Sequence, residues 1–363
     1  MALHSIDSKM DGTSIRMIDP AADARWDAFV DRAPGSSVFQ HSSWKTVIER
    51  TFQLRPFYFT LEDDAQNILG GIPFFFKRSP ITGKALISLP FADYSDVLTD
   101  GPEHFSMLWR GVMETGNEKG ARYIEIRSRD KGGIELERYA FERGSTYLNH
   151  FLEVGKDLEF IEKKVIDRSY KCDIRQAVKN GVVVRSATGE PDMKEYYRLY
   201  VMTRAHHGLP PIPYVFFKNV WDILSPPKMV YLFLAYRAER LIGGIIFLRH
   251  KKCLYALSNS SDRRFLDKKP NHLLWWRGIQ LAVDLGLTGL DFGRTAPDNE
   301  GLRFFKRRWG TREREIHHYR CGMGHATGNG HGLGRIEKAL APALKVLPPW
   351  ALKAIGKVAY RCL

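Results

Sequence analysis

Paired cysteines are what this sequence most plainly lacks. Its four cysteines, Cys172, Cys253, Cys321 and Cys362, are scattered, with no CxxC spacing and no Cys/His ligand pattern. That excludes a disulfide scaffold and a zinc module, and fits free thiols in a reducing cytosol. The adjacent pairs His206-His207 and His317-His318 cannot share one face of a strand or helix, so no metal site is expected. Long apolar runs are also missing. A membrane span needs roughly 20 apolar residues, whereas Leu241–Leu248 is long enough only for a buried strand. Residues Met1–Gly12 are polar and contain no apolar signal-peptide core, which points to a cytoplasmic chain.

Acidic residues are outnumbered. The 55 Lys and Arg against 41 Asp and Glu give a net charge of +14. This favours anionic partners: nucleic acid, phosphorylated intermediates or an acidic membrane face. An apolar fraction of 44% supports packed cores rather than disorder, and 363 residues suffice for two of them.

The two halves repeat. Ile68-Leu-Gly-Gly-Ile-Pro-Phe-Phe-Phe76 nearly returns as Leu241-Ile-Gly-Gly-Ile-Ile-Phe-Leu248. Leu108-Trp-Arg-Gly-Val112 returns as Trp275-Trp-Arg-Gly-Ile279, and each opens a helix that runs to Gly120 or Gly286. Each helix leads into a strand, Tyr123–Arg127 or Gly289–Gly293. The offsets, 166 to 173 residues, indicate tandem duplication of one α/β unit. Each unit also pairs two strands around a turn, Phe57–Leu61 with Ile68–Phe76 and Val230–Tyr236 with Leu241–Arg249. A third strand follows, Leu86–Leu89 or Leu254–Leu257. Antiparallel strands covered by helices make an α+β (mixed α/β) fold.

The stretch Asp291-Phe-Gly-Arg294 and the following Phe304-Phe-Lys-Arg-Arg-Trp-Gly310 are the most informative. The strand is expected to stop at Gly293, and a polar loop to lead into a short helix. Asp298 or Asn299 is its N-cap and Gly310 its stop. Leu302, Phe305 and Trp309 share an apolar face that anchors the helix, leaving Arg303, Lys306 and Arg307 aimed elsewhere. Either this is an anion-binding surface at a strand exit or an ordinary helix with a solvated basic side. Arg168, Lys171, Arg175 and Lys179 form a second basic stripe with the same two readings.

Taken in order, several stretches resemble the FemAB-like branch of the GNAT superfamily, in the form found beside exopolysaccharide or envelope assembly systems. They are Phe39-Gln-His-Ser-Ser-Trp44, Arg168–Val184, Gly208-Leu-Pro-Pro-Ile-Pro213, Pro270-Asn-His-Leu-Leu-Trp275, Asp291-Phe-Gly-Arg294 and Phe305-Lys-Arg-Arg-Trp-Gly310. The resemblance spans roughly residues 20 to 323. It implies two GNAT-like domains, 14–150, completed by 311–323, and 151–310. It also implies transfer of an acyl or aminoacyl group to an amine of a peptidoglycan or exopolysaccharide precursor. That precursor is anionic and lipid- or nucleotide-linked. The donor is aminoacyl-tRNA or acyl-CoA, with no tightly bound cofactor, and tRNA is then a partner.

Phe305 and Lys306 match the family's Phe-Lys pair, whose Lys stabilises developing negative charge; Trp309 and Gly310 match the residues after it. On this reading Lys306 is the catalytic cation, with Arg294 beside it. Asp291 accepts a proton from the amine or orients Arg294, unless it is simply a turn residue. Phe305, Trp309, Arg303 and Arg307 are expected to line the substrate site, with Arg168, Arg175 and Asn271. Trp44 and Lys45 either line a cleft between the halves or, for Trp44, fill the core.

One departure concerns the donor. GNAT enzymes cradle a pyrophosphate on backbone amides of a Gly-rich loop before a helix. The matching loop here, Ser258–Pro270, has no glycine and carries Arg263, Arg264, Lys268 and Lys269. That favours a larger anionic ligand contacted by side chains over a CoA ester. A CoA-dependent N-acyltransferase of amino sugars, and a non-catalytic adaptor of the same fold, remain alternatives.

Residues 324–363 are expected to form a Gly-rich linker and a basic tail. Gly322–Gly334 is rich in Gly and His, and Ile336–Leu363 is apolar with interspersed Lys and Arg, split by Pro348-Pro349. The tail either binds the inner face of a membrane or packs on the protein itself.

Overall fold

Two proline-started helices, one in each half, place the strands that matter most. The computed structural model describes residues 6–323 and 342–360, apart from 11, 81, 100, 130–133 and 156. Among these residues the chain divides into two units, 6–147 with 315–323 and 148–314 with 342–360. The linker expected over 324–334 lies outside the described residues.

In the first unit, strands β1 (Ile6–Met10), β2 (Thr13–Ile18), β3 (Arg55–Asp63), β4 (Ile68–Ser79) and β5 (Gly83–Ile87) follow one another as antiparallel neighbours. Helices α1 (Ala24–Arg32) and α2 (Ser42–Phe52) connect β2 to β3. Helix α3 (Pro102–Glu118) then crosses to β6 (Tyr123–Ser128), which lies parallel to β5. Beyond β6 comes the C-terminal part of the last strand, whose residues His317–Gly322 pair antiparallel with Tyr123–Ser128.

After β6 comes β7 (Glu142–Glu153), which begins in the first unit and ends in the second. The second unit then builds α4 (Leu158–Phe160), α5 (Arg168–Lys179), β8 (Val182–Ser186), α6 (Glu190–His206) and α7 (Tyr214–Leu224). There follow β9 (Val230–Arg237), β10 (Arg240–His250), β11 (Cys253–Ser261), α8 (Pro270–Asp284), β12 (Gly289–Thr295) and α9 (Glu300–Arg307). The last strand, β13 (Arg312–Gly322), carries the chain back to the first unit. Helix α10 (Pro349–Ala359) packs on α6. The strand order of the second unit is β7-β12-β11-β10-β9-β8.

The duplication is visible in the hydrogen bonding. Strands β5 and β6 pair in parallel through three residues, Ala85 with Tyr123, Leu86 with Ile124 and Ile87 with Glu125. Strands β11 and β12 do the same through Cys253 with Gly289, Leu254 with Leu290 and Tyr255 with Asp291. Both crossover helices begin with proline at the first helical position, where a missing N–H is harmless. Both are followed by a glycine in the left-handed region, Gly120 at φ 63° and Gly286 at φ 62°. Each unit has its own apolar core. One centres on Phe59, Phe74, Trp109 and Ile124, the other on Phe247, Trp275, Leu290 and Trp309.

The recurring Trp-Arg-Gly of α8 has a packing reason. A side chain on Gly278 would meet the Phe247 ring at 2.3 Å, and Phe247 is fully buried. The glycine lets the helix settle on β10. Gly278→Val is expected to lower unfolding free energy by at least about 2 kcal/mol through overpacking, read as a lower urea midpoint; an unchanged midpoint would contradict this packing.

Candidate active site

Strand β12 does not stop at Gly293. It continues to Thr295 across a bulge. Phe151 of β7 faces Asp291 and Asn149 faces Arg294, so Phe292 and Gly293 stand opposite the single residue His150. Gly293 adopts φ 74°, a backbone conformation glycine takes without strain. The bulge takes the Gly293 amide out of the ladder, and Asp291 Oδ1 accepts it at 2.7 Å. The same oxygen accepts from Asn149 Nδ2 at 2.7 Å. Asp291, 2% exposed, thus braces the bulge.

Lys306 meets the same bulge from the other side. Its Nζ donates to the carbonyls of Gly293 at 2.8 Å and Arg294 at 3.1 Å. Here the structure corrects the helix reading. Asn299 caps α9 through a bond from the Leu302 amide, and Trp309 is fully buried as expected. But Leu302 is exposed, and Lys306, expected to point away from the core, is 4% exposed. The bulge carbonyls supply what a buried ammonium needs. Arg303, half-buried, and Arg307, exposed, are also not unpaired cations. Both bond the carboxylate of Glu313 on β13, at 3.1 and 2.7 Å to Oε2. Those hydrogen bonds, Arg307 first and Arg303 second, lower the Glu313 pKa to about 2.

Behind Lys306 lies a second polar layer. Thr311 Oγ1 donates to the Lys306 carbonyl at 3.0 Å and sits 3.4 Å from His150 Nδ1. With the hydroxyl proton so used, Nδ1 is assigned as the donor to Thr311. His150 is fully buried, and burial first, then the Lys306 charge, lowers its pKa to about 4. The imidazole is therefore neutral at neutral pH. Asn149, His150, Thr311 and Glu313 were not anticipated from sequence. Tyr147-Leu-Asn-His-Phe-Leu152 does not alternate polar with apolar residues, so no local pattern marked Asn149 or His150.

Phe305 and Trp309 join an aromatic cluster. Tyr170 Oη donates to the Phe305 carbonyl at 3.2 Å, and the Tyr170 ring lies 5.2 Å from Trp309. Trp309 in turn neighbours Phe292, which stacks on Trp275 at 4.0 Å. Asn271, at the start of α8, donates to Ser261 Oγ at 3.1 Å and so ties the end of β11 to that helix. Arg294 is exposed at the end of β12. Arg168 and Arg175 are exposed on α5, where Arg175 lies 3.9 Å from Glu162. Trp44 and Lys45 belong to the first unit. Trp44 is fully buried, and Lys45 is held between Asp19 at 2.9 Å and Glu49 at 2.8 Å.

Past Tyr255 the strands β11 and β12 separate. β11 runs on beside β10 as far as Ser261, while the end of β12 pairs with β7. The result is a gap between two parallel strands, with Lys306 and the bulge on one side of it. In the first unit the chain fills the equivalent place itself. Ser88 N–H donates to the Glu125 carbonyl at 2.9 Å and Ser95 N–H to the Arg127 carbonyl at 2.8 Å. Glu125, equivalent to Asp291, is pushed up by burial, but Arg127 and Arg320 bring it down to about 2. Among the described residues no cluster of three or more His, Cys, Asp or Glu could hold a metal ion.

Residues 168–307 match the family model of the acetyltransferase (GNAT) domain. The match runs from the first residue of α5 to the last of α9. Solved structures extend the likeness to both units. FemX is 17% identical, with a TM-score of 0.68 over 84% of this chain and 96% of that one. A tandem GNAT protein from the clavulanic acid biosynthesis pathway is 8% identical, with a TM-score of 0.57 over 86% and 99%. L-PGS from Bacillus licheniformis is 11% identical, with a TM-score of 0.58 over 93% and 99%. At these identities the likeness establishes the fold, two GNAT-like units in tandem. No curated protein sequence matches the chain.

The His150 environment sets a pH dependence. Its pKa falls from 6.5 in the ordinary state to about 4 in the fold. Its contribution is therefore intact above pH 6.5 and is lost as pH falls toward 4, where the unfolded chain binds the proton first. His150→Gln is expected to flatten the acid limb of a stability–pH curve from urea unfolding. Parallel curves for variant and parent would contradict the assignment.

Proposed function

We propose that this protein is an N-acyltransferase, with the acceptor amine on an anionic cell-envelope precursor and the donor acyl group held at the gap between β11 and β12. The reading rests chiefly on one observation: a buried, doubly anchored ammonium, Lys306, beside the separated parallel strands of a GNAT domain. Two diverging strands leave backbone groups with which an extended donor can pair. When the amine attacks the donor carbonyl, the carbonyl oxygen gains negative charge. A fixed cation in a site of low water content stabilises that charge without reorganising. Collapse of the tetrahedral intermediate re-forms the carbonyl and expels the donor's oxygen or sulfur, which leaves with the proton given up by the attacking amine.

In this reading Asp291 serves the geometry and not proton transfer, since its carboxylate braces the bulge that presents the Gly293 and Arg294 carbonyls to Lys306. Arg294 at the strand end is positioned to meet an anionic substrate.

The donor is the finer question. The loop before α8 contains a short 3-10 turn, Arg263–Lys268, rather than a glycine cradle. Its charges are largely matched. Asp262 bonds Arg264 at 2.6 Å, Lys268 pairs with Asp267 at 2.7 Å and Lys269 with Asp173 at 3.1 Å. The missing glycine cradle counts against acyl-CoA, whereas the matched charges leave less free cation for a tRNA and the GNAT domain match favours acyl-CoA, so both donors enter the test.

The test offers the protein aminoacyl-tRNA and a panel of acyl-CoAs, with an amino-bearing peptidoglycan or amino-sugar acceptor. Transfer from one donor class is expected, and Lys306→Met is expected to lower kcat by about a hundredfold or more. The same variant should lose about 1–3 kcal/mol of stability, because the bulge carbonyls lose a partner, so its folding is checked by circular dichroism. Full turnover by folded Lys306→Met would remove Lys306 from the mechanism. Binding of acceptor without transfer from either donor would favour the adaptor.

A further inference from the structure

Among the described residues, the three most exposed large apolar side chains lie on one short C-terminal stretch: Val346 at 82%, Trp350 at 74% and Val358 at 65%. The same stretch, residues 342–360, carries Lys345, Lys353 and Lys357 and no acidic residue.

Helix α10 is firmly seated. Leu352 is fully buried, and Gly356 lies so close to the 210–212 loop that a Cβ there would stand 2.1 Å from the Pro211 carbonyl oxygen. Arg204 Nη2 donates to Tyr360 Oη at 3.1 Å, and Tyr360 Oη donates to the Pro210 carbonyl at 3.3 Å. Leu352 and Gly356, four residues apart, define the docked face. Trp350, Lys353, Ala354 and Lys357, at helical spacing, share the other face, and all four are exposed. Lys353 Nζ lies 5.7 Å from the Tyr197 ring, so its ammonium sits beside the protein at the edge of this face while the residue stays exposed.

We infer that the outer face of α10, together with Lys345 and Val346 just before it, is a docking surface for an anionic lipid bilayer. Trp350, Val346 and Val358 would enter the headgroup–acyl boundary, and the three lysines would lie among the acidic headgroups. Charge complementarity selects this occupant, because the patch carries charge of one sign with no carboxylate among its own residues. The tryptophan fits as well, since its amphipathic ring favours the membrane interface. Area argues against a stable protein partner. One face of an 11-residue helix is far smaller than the roughly 1,600 Å² that specific protein complexes bury. The helix is held in place beforehand, so little ordering opposes binding. No helix among the described residues is long and apolar enough to cross a membrane, so the surface described is one that lies on a bilayer. These residues are separate from Lys306 and β12, and the inference does not depend on the acyl-transfer reading.

The full chain should be sedimented with vesicles of phosphatidylglycerol and phosphatidylcholine, and with phosphatidylcholine alone. Binding is expected only to the first, and to weaken as salt rises. Replacing Lys345, Lys353 and Lys357 together with Gln should lower partitioning about a hundredfold, since each contributes near an acidic surface. Trp350→Ala should lower it about tenfold. All four positions are exposed, and an unchanged melting temperature confirms folding. Equal binding to both vesicle types, no binding to either, or a dimer in solution that Trp350→Ala dissociates would each overturn the proposal.

Discussion

The bond from the Lys306 ammonium to the carbonyls of Gly293 and Arg294 is the constraint on which the second unit's functional geometry depends. It turns a break in a strand ladder into a defined feature. The bulge needs Gly293 at positive φ, and Asp291 then satisfies the amide that the bulge releases. The carbonyls on the other side would be left without partners in a protected place, and Lys306 supplies the donors. One charge therefore fixes α9 on β12 where β12 leaves β11. Burial first, and then this charge, lower the pKa of His150 behind it to about 4.

The two units use the same scaffold differently. Each brings two parallel strands together for three residue pairs after a proline-started helix. In the first, Ser88 and Ser95 bond back to β6, and Glu125 is locked by Arg127 and Arg320. β6 also pairs with β13 without a bulge. In the second, a bulge, a buried lysine and diverging strands take that place. Duplication supplied two frames, and among the described residues the bulge with its buried lysine belongs to the second.

Repetition and punctuation made the frame legible in the sequence. The paired Gly-Gly strands, the Trp-Arg-Gly helices and the prolines and glycines at their ends are local patterns, and the observed elements follow them closely. The site was less legible because it depends on partners distant in sequence. Lys306 sits at the spacing of a solvated stripe, and nothing local reveals that bulge carbonyls await it. Gly293 reads equally as a stop or a bulge, since both need the same backbone freedom. Arg303 and Arg307 look free until β13 brings Glu313 beside them. Strand β7 was hidden because its buried positions include Asn149 and His150, which carry no apolar signature.

In the proposed reaction the acyl donor occupies the gap between β11 and β12, beside Lys306. The most direct measurement is photo-crosslinking with aminoacyl-tRNA and acyl-CoA analogues that carry a photoreactive acyl group, followed by peptide mapping. Label is expected on 256–261 or 292–306, at one donor per chain. Label confined to the first unit, around 88–98 or 123–128, would contradict it.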